Sequence, residues 1–137
     1  MQDATAKLEI SELGDSCLLM RCCGGLSWED RSLLAERMSA AASGRSRWPD
    51  VILDLCAVEF VNSAGIGALF QLAQRVRSGG GKLLLAAVPP VFLRMFRMAG
   101  LDRLASLNDS VAAAADRIGA GAEWGLASSG GDGGAVH

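Results

Sequence analysis

The apolar positions of this chain keep two rhythms, and the change between them marks its elements. Val51-Ile-Leu-Asp-Leu55 is a short, largely β-branched and apolar run, as a buried strand requires. Ile66, Leu69, Phe70, Ala73 and Val76 then recur at the spacing of one helix face. Lys7 to Ser11 alternates and predicts a first strand, and Cys17 to Cys23 a second. Gly14-Asp15 between them makes the pair a hairpin, and Gly24-Gly25 should end it. A helix is expected from about Trp28 to Ala42, with Leu34, Met38 and Ala41 on its stripe. Ser27-Trp-Glu-Asp30 before it has the form of a capping box.

Further on, Ser43 to Asp50 predicts a loop, and the helix carrying Ile66 should stop near Ser78, because Gly79-Gly80-Gly81 cannot continue it. Lys82 to Val88 reads as a strand buried on both faces. Pro89-Pro90 opens a third helix with Phe92, Met95, Phe96 and Ala99 on its stripe, closed by a left-handed Gly100. Leu104 to Leu107 suits a short edge strand. Asn108 or Asp109 should cap a last helix with Val111, Ala114, Ala115 and Ile118 facing inward. Strands alternating with helices imply an α/β fold with a small sheet. Residues 6–118 form the expected domain. From 119 to 137 a Gly-, Ala- and Ser-rich stretch without an apolar face predicts a flexible tail.

The junction at the centre carries the most information. In Asn62-Ser63-Ala64-Gly65-Ile66-Gly67, Ser63 is the expected N-cap, its hydroxyl accepting from an amide one turn on. The small residues leave the helix start bare, with exposed amides at the positive end of the dipole. Such an end suits an anion or the close approach of another backbone.

Composition narrows the function more by exclusion. The 137 residues are 50% hydrophobic and 20% charged, which fits one globular domain. A net charge of -2 offers no basic field for nucleic acid or an anionic membrane surface. No apolar run reaches membrane length, and the first residues, with Asp3, Lys7 and Glu9, do not read as a leader; a cytoplasmic protein is expected. Cys17, Cys22, Cys23 and Cys56 lack a CxxC spacing and read as free thiols. Cys22, Cys23 and Cys56 could meet in a sheet, but buried cysteines usually serve as small apolar residues, so no metal is expected.

Catalysis finds little support. The serine turn lacks the glycine of a nucleophile elbow, and the sole histidine, His137, falls in the tail. Gly79-Gly80-Gly81-Lys82 follows a helix and precedes a strand, the reverse of a phosphate-binding loop. Arg94, Arg97 and Arg103 form a modest basic group that reads as solvated surface, and Trp28 and Trp48 as partial core flanking the first helix.

Asp54-Leu55, Val58, Phe60 and Asn62 to Gly67, followed by Gly81-Lys82-Leu83-Leu84-Leu85, Pro90, Phe96 and Gly100-Leu101, resemble the signature of the STAS domain, the anti-sigma factor antagonist family. The resemblance implies a small mixed sheet with about four helices largely on one side. It also implies a non-enzymatic interaction module without a cofactor. Its partner would be an anti-sigma factor, commonly a GHKL-type serine kinase, and binding would regulate sigma-dependent transcription. The implied contact surface is Asn62, Ser63, Ala64, Gly65 and Gly67; nucleic acid and membrane insertion are not implied, and a homodimer stays open. In that family the turn reads Asp-Ser-Ser-Gly and the residue before the glycine is phosphorylated; here Asn62 replaces the aspartate and Ala64 holds the phosphorylated position. Ser63 is thus a plain cap, a phosphoacceptor shifted by one residue, or part of a binder that cannot be switched off. Other readings are a STAS subunit of a lipid-transport ABC system, a sensory scaffold, and a small-molecule or nucleotide-binding domain.

Overall fold

The computed structural model describes residues 6–14, 16–27 and 30–118. Five strands form one sheet whose spatial order follows the chain: β1 (Ala6–Glu12), β2 (Cys17–Leu26), β3 (Asp50–Val61), β4 (Leu83–Ala86) and β5 (Ser106–Asn108). β1 and β2 pair antiparallel as the expected hairpin, and every later pairing is parallel. Each parallel step needs a crossover. These are α1 (Arg31–Ala42), α2 (Ser63–Ser78) and α3 (Pro90–Met98), with α4 (Val111–Arg117) after the last strand.

The sheet buries both faces unequally. Val51, Leu53 and Leu55 point into the large core, with Leu34 and Met38 of α1, Leu69, Leu72 and Val76 of α2, and Phe96 of α3. Ile52 and Leu84 point the other way, into a smaller cluster closed by Ala114 and Ala115 of α4 with Cys17 and Leu13. Three helices therefore lie on one face and α4 alone on the other, in the expected arrangement. The four cysteines are free. Burial raises the Cys17 thiol to about 11 and Cys22 to about 12, so both are packed as neutral apolar groups.

Several boundaries differ from the sequence expectation, each for a local reason. β2 does not stop at Gly24-Gly25 but runs to Leu26, absorbing register shifts at Arg21/Cys23 and Gly24/Gly25. Such shifts are bulges, which glycine accommodates. β3 continues past Leu55 to Val61, as a two-stranded extension beside β2, because β4 leaves it at Asp54. α1 begins at Arg31, three residues later than expected. Ahead of it the Asp30 carboxylate accepts from the Ser27 amide at 2.8 Å and from its hydroxyl at 3.1 Å, the side-chain-to-backbone bond expected of the capping box Ser27-Trp-Glu-Asp30. β4 ends at Ala86 because Ala87 adopts a left-handed backbone (φ 57), its amide donating to the Asn108 carbonyl.

The C-terminal half shows the same kind of detail. Gly100 is left-handed (φ 83) and Leu101 behind it is fully buried, as expected of that ending. Ala105 belongs to this turn, its amide donating to the Leu101 carbonyl, so β5 starts only at Ser106. Ser110, not Asn108 or Asp109, caps α4 by accepting from the Ala113 amide at 3.0 Å. The Asn108 side chain is committed elsewhere: it donates to the Leu85 carbonyl and accepts from Arg117. Trp48 packs partly buried on the core, whereas Trp28 and the residues from 119 onward lie outside the described residues.

Candidate functional site

The site is built where β2, β3 and α2 converge. At the last point where the sheet is wide, Asp54 is buried on β3. Its Oδ2 accepts from Arg21 Nε of β2 at 3.1 Å and its Oδ1 from the Cys56 amide at 3.1 Å. The buried carboxylate is thus paired and bonded at both oxygens, as its burial demands. It raises the Arg21 guanidinium above its ordinary pKa, first through that hydrogen bond. Beyond this clamp the extension of β3 is only partly covered by the core. Val58 and Val61 turn inward, while Cys56, Glu59 and Phe60 face solvent, Phe60 by 50%.

The turn after Val61 is closed by Asn62 rather than Ser63. Asn62 is extended (φ -104, ψ 178), and its Oδ1 accepts from the Gly65 amide at 2.7 Å. Its carbonyl takes the Ile66 amide, opening the helix. Ser63 is already the first helical residue and is exposed, its hydroxyl playing no part in the cap. A side-chain oxygen one residue earlier reaches the same free amide, which is why asparagine and serine compete for this role.

The helix start is also not bare. The Leu26 carbonyl at the end of β2 accepts from the Asn62 amide at 3.3 Å. The same carbonyl lies over Gly65, where any Cβ would overlap it. Gly65 is buried as a result and shapes the turn from below, while Asn62, Ala64 and Gly67 are half-buried and Ser63 is the outermost of the five. The small residues thus serve close backbone approach, one of the two uses their size allows. The Gly65 amide, capped by Asn62 and covered on one flank by Leu26, is taken out of reach of an anion.

From Ala68 to Ser78 a groove of about 380 Å³ follows α2 beside α1, its wall including Ala35, Gln71, Gln74 and Arg75. The groove wall carries one charge, Arg75. Sequence reasoning missed two contributors to the turn's surface: Phe60 belongs to the family signature but not to the expected contact residues, and Leu26 contributes only its backbone. Strand alternation pairs Phe60 with Val58 on the core face, so the pattern at 58–61 carries no signal for its exposure.

Comparison with known proteins follows this geometry. The STAS domain family matches residues 11–114. Among solved structures, the unphosphorylated form of SpoIIAA, an anti-sigma factor antagonist of Bacillus, aligns with a TM-score of 0.63 at 16% identity, covering 82% of this chain and 97% of that one. An anti-sigma factor antagonist from Mycobacterium paratuberculosis aligns at 0.61 and 20% identity, over 80% of this chain and 92% of the other. The murine Slc26a9 anion transporter aligns at 0.65 and 18% identity, over 78% of this chain but only 18% of the transporter. No described helix is long and apolar enough to cross a membrane.

Proposed function

The chain belongs to the STAS domain family, and from that premise we propose that it is a non-enzymatic anti-sigma factor antagonist acting in the cytoplasm. The proposed partner is an anti-sigma factor of the GHKL serine-kinase type, whose capture frees a sigma factor. The observation that carries this reading is the turn. It presents Ser63 on a helix start held by the Asn62 cap and the Leu26 carbonyl, with Phe60 exposed at the end of β3 just before it. A surface fixed before binding loses little freedom on docking. An exposed phenylalanine beside small residues is the kind of anchor that interfaces use. SpoIIAA has been solved in unphosphorylated and phosphorylated forms. Here Ala64 takes the position where the family carries its phosphate, so the proposed module binds without that switch.

The test separates folding from docking. α2 has no acidic residue in its first turn, so Ser63→Glu should leave the fold intact and stabilise it by about 0.3–1 kcal/mol through the helix dipole. The same carboxylate, desolvated against a partner without a group to meet it, costs on the order of 3–5 kcal/mol, or hundreds- to thousands-fold in affinity. Affinity capture from the native cell identifies the kinase, and calorimetry with the purified kinase compares wild type with Ser63→Glu. Equal affinity for the two would remove the turn from the interface. Recovery of an ABC transporter in place of a kinase would overturn the partner class.

A further inference from the structure

At the end of the sheet opposite the turn, a cavity of about 370 Å³ opens between α2, α4 and the starts of β4 and β5. Four cationic residues line it, drawn from separate stretches of the chain: Arg77 in the last turn of α2, Lys82 just before β4, Arg103 at the end of the short 3-10 turn, and Arg117 at the end of α4. Asp102 is the one carboxylate in its wall. The chain as a whole has fewer cations than anions, 13 against 15, so this four-to-one excess runs against its balance. Among the described residues the ion pairs are Arg21 with Asp54 and Arg45 with Glu12, and none of these four takes part. Arg117 is held at the cavity's edge, its Nε donating to Asn108 Oδ1 at 2.8 Å.

The arrangement has a chemical reading. Like charges gathered around a concavity raise its potential, and a low-dielectric wall focuses it. Guanidinium groups fit phosphate oxygens with paired hydrogen bonds, and lysine adds a point charge. Beside Asp102 and Ser106 the lining carries apolar groups, with Leu83 and Leu84 buried and Leu104 and Ile118 half-buried. The volume falls in the range of about 300–1,000 Å³ usual for small-molecule sites. The expected group of Arg94, Arg97 and Arg103 is divided by this arrangement, since only Arg103 lines the cavity.

We propose that this cavity binds a small organic diphosphate, its charge held by Arg77, Lys82, Arg103 and Arg117 and its apolar body by Leu104 and Ile118. The site is independent of the turn; the 16 residues of α2 put about 24 Å between them.

The full chain is titrated with sodium pyrophosphate, with geranyl diphosphate, and with sulfate at matched ionic strength, following backbone amide shifts. Saturable shifts at Lys82, Arg103, Ser106 and Arg117 are expected with both diphosphates, tighter for geranyl diphosphate and absent with sulfate. Lys82 and Arg103 are exposed, so the double variant Lys82→Gln/Arg103→Gln should melt as wild type does, and bind pyrophosphate at least about tenfold more weakly. No saturation, shifts centred on residues 62–67, or unchanged affinity in the double variant would overturn the site. Geranyl diphosphate binding no tighter than pyrophosphate would overturn the apolar half of the assignment.

Discussion

The two ends of α2 use the same steric device for different purposes. At its start, Gly65 lies against the Leu26 carbonyl; just past its end, Gly81 lies against the Pro49 carbonyl, and neither site has room for a Cβ. Both glycines let a helix terminus press against the end of a neighbouring strand or its approach. The chemistry around them then diverges. The start is uncharged, capped by Asn62 and flanked by exposed Phe60, a surface made from consecutive residues. The end is bordered by a cavity with four cations drawn from separate stretches of the chain. Close packing fixes the geometry at both ends, and side-chain charge is what distinguishes them.

The comparison is broken most directly by filling the two close approaches. Gly65→Ala should cost about 3 kcal/mol or more, the upper part of what overpacking usually costs, because both sides of the clash are backbone. Cap and carbonyl hold Gly65 from either side, so little can move. Gly81→Ala should cost less, about 1–3 kcal/mol, since Gly81 sits in a connection outside the helix and β4 follows only after Lys82. Urea denaturation of the two variants gives the order. A larger loss at Gly81 would mean that the lower end, not the turn, is the tighter joint.

Much of this frame is legible in the sequence, and the exceptions have physical causes. Ser78 before three glycines, Pro90 opening α3 and Gly100 closing it stand where local backbone rules put them, because those residues act within one turn of themselves. The ends of β2 and β3 do not. Gly24-Gly25 looks like a stop, yet a neighbouring strand supplies the hydrogen bonds that carry β2 through its bulges to Leu26. Extension of β3 to Val61 likewise depends on its partner. At the site, Asn62 to Gly67 stands out as a motif, but the burial of Gly65 depends on a carbonyl far away in sequence. The cavity was least legible of all. Arg77, Lys82, Arg103 and Arg117 share no motif or helix face, and only the parallel order of β3, β4 and β5 brings them together.

Within the turn, the next test concerns the cap. Asn62→Ala removes the acceptor of the Gly65 amide at 2.7 Å. Losing such a cap typically costs about 1 kcal/mol. Because the Gly65 flank is already covered by Leu26, water cannot freely replace the lost acceptor, which argues against a smaller value. Asn62→Asp, which restores the residue usual in the family, should keep the stability or raise it slightly, since a carboxylate accepts the same amide and complements the dipole. The readout is the urea midpoint of both variants. A neutral Asn62→Ala would show that the backbone contacts of Leu26 alone hold the helix start.

The smallest expected effect discriminates most sharply between the residues of the turn. Ser63 has the composition of a cap and sits one position from where one is needed, yet it is exposed and already helical. Ser63→Ala removes a hydroxyl outside the cap and substitutes the residue with the best helix propensity. Stability should therefore change by no more than about 0.5 kcal/mol, as for an ordinary surface position. Partner affinity should fall only modestly too, because the variant leaves no buried charge and keeps Ala64, Phe60 and the cap in place. That sets it apart from Ser63→Glu, which alters the same surface by a charge. Thermal melting and calorimetry on Ser63→Ala check both halves. A loss near 1 kcal/mol in stability would return the capping role to Ser63. A large loss in affinity at unchanged stability would instead make the hydroxyl itself a contact, and the shifted phosphoacceptor would become the stronger account of this turn.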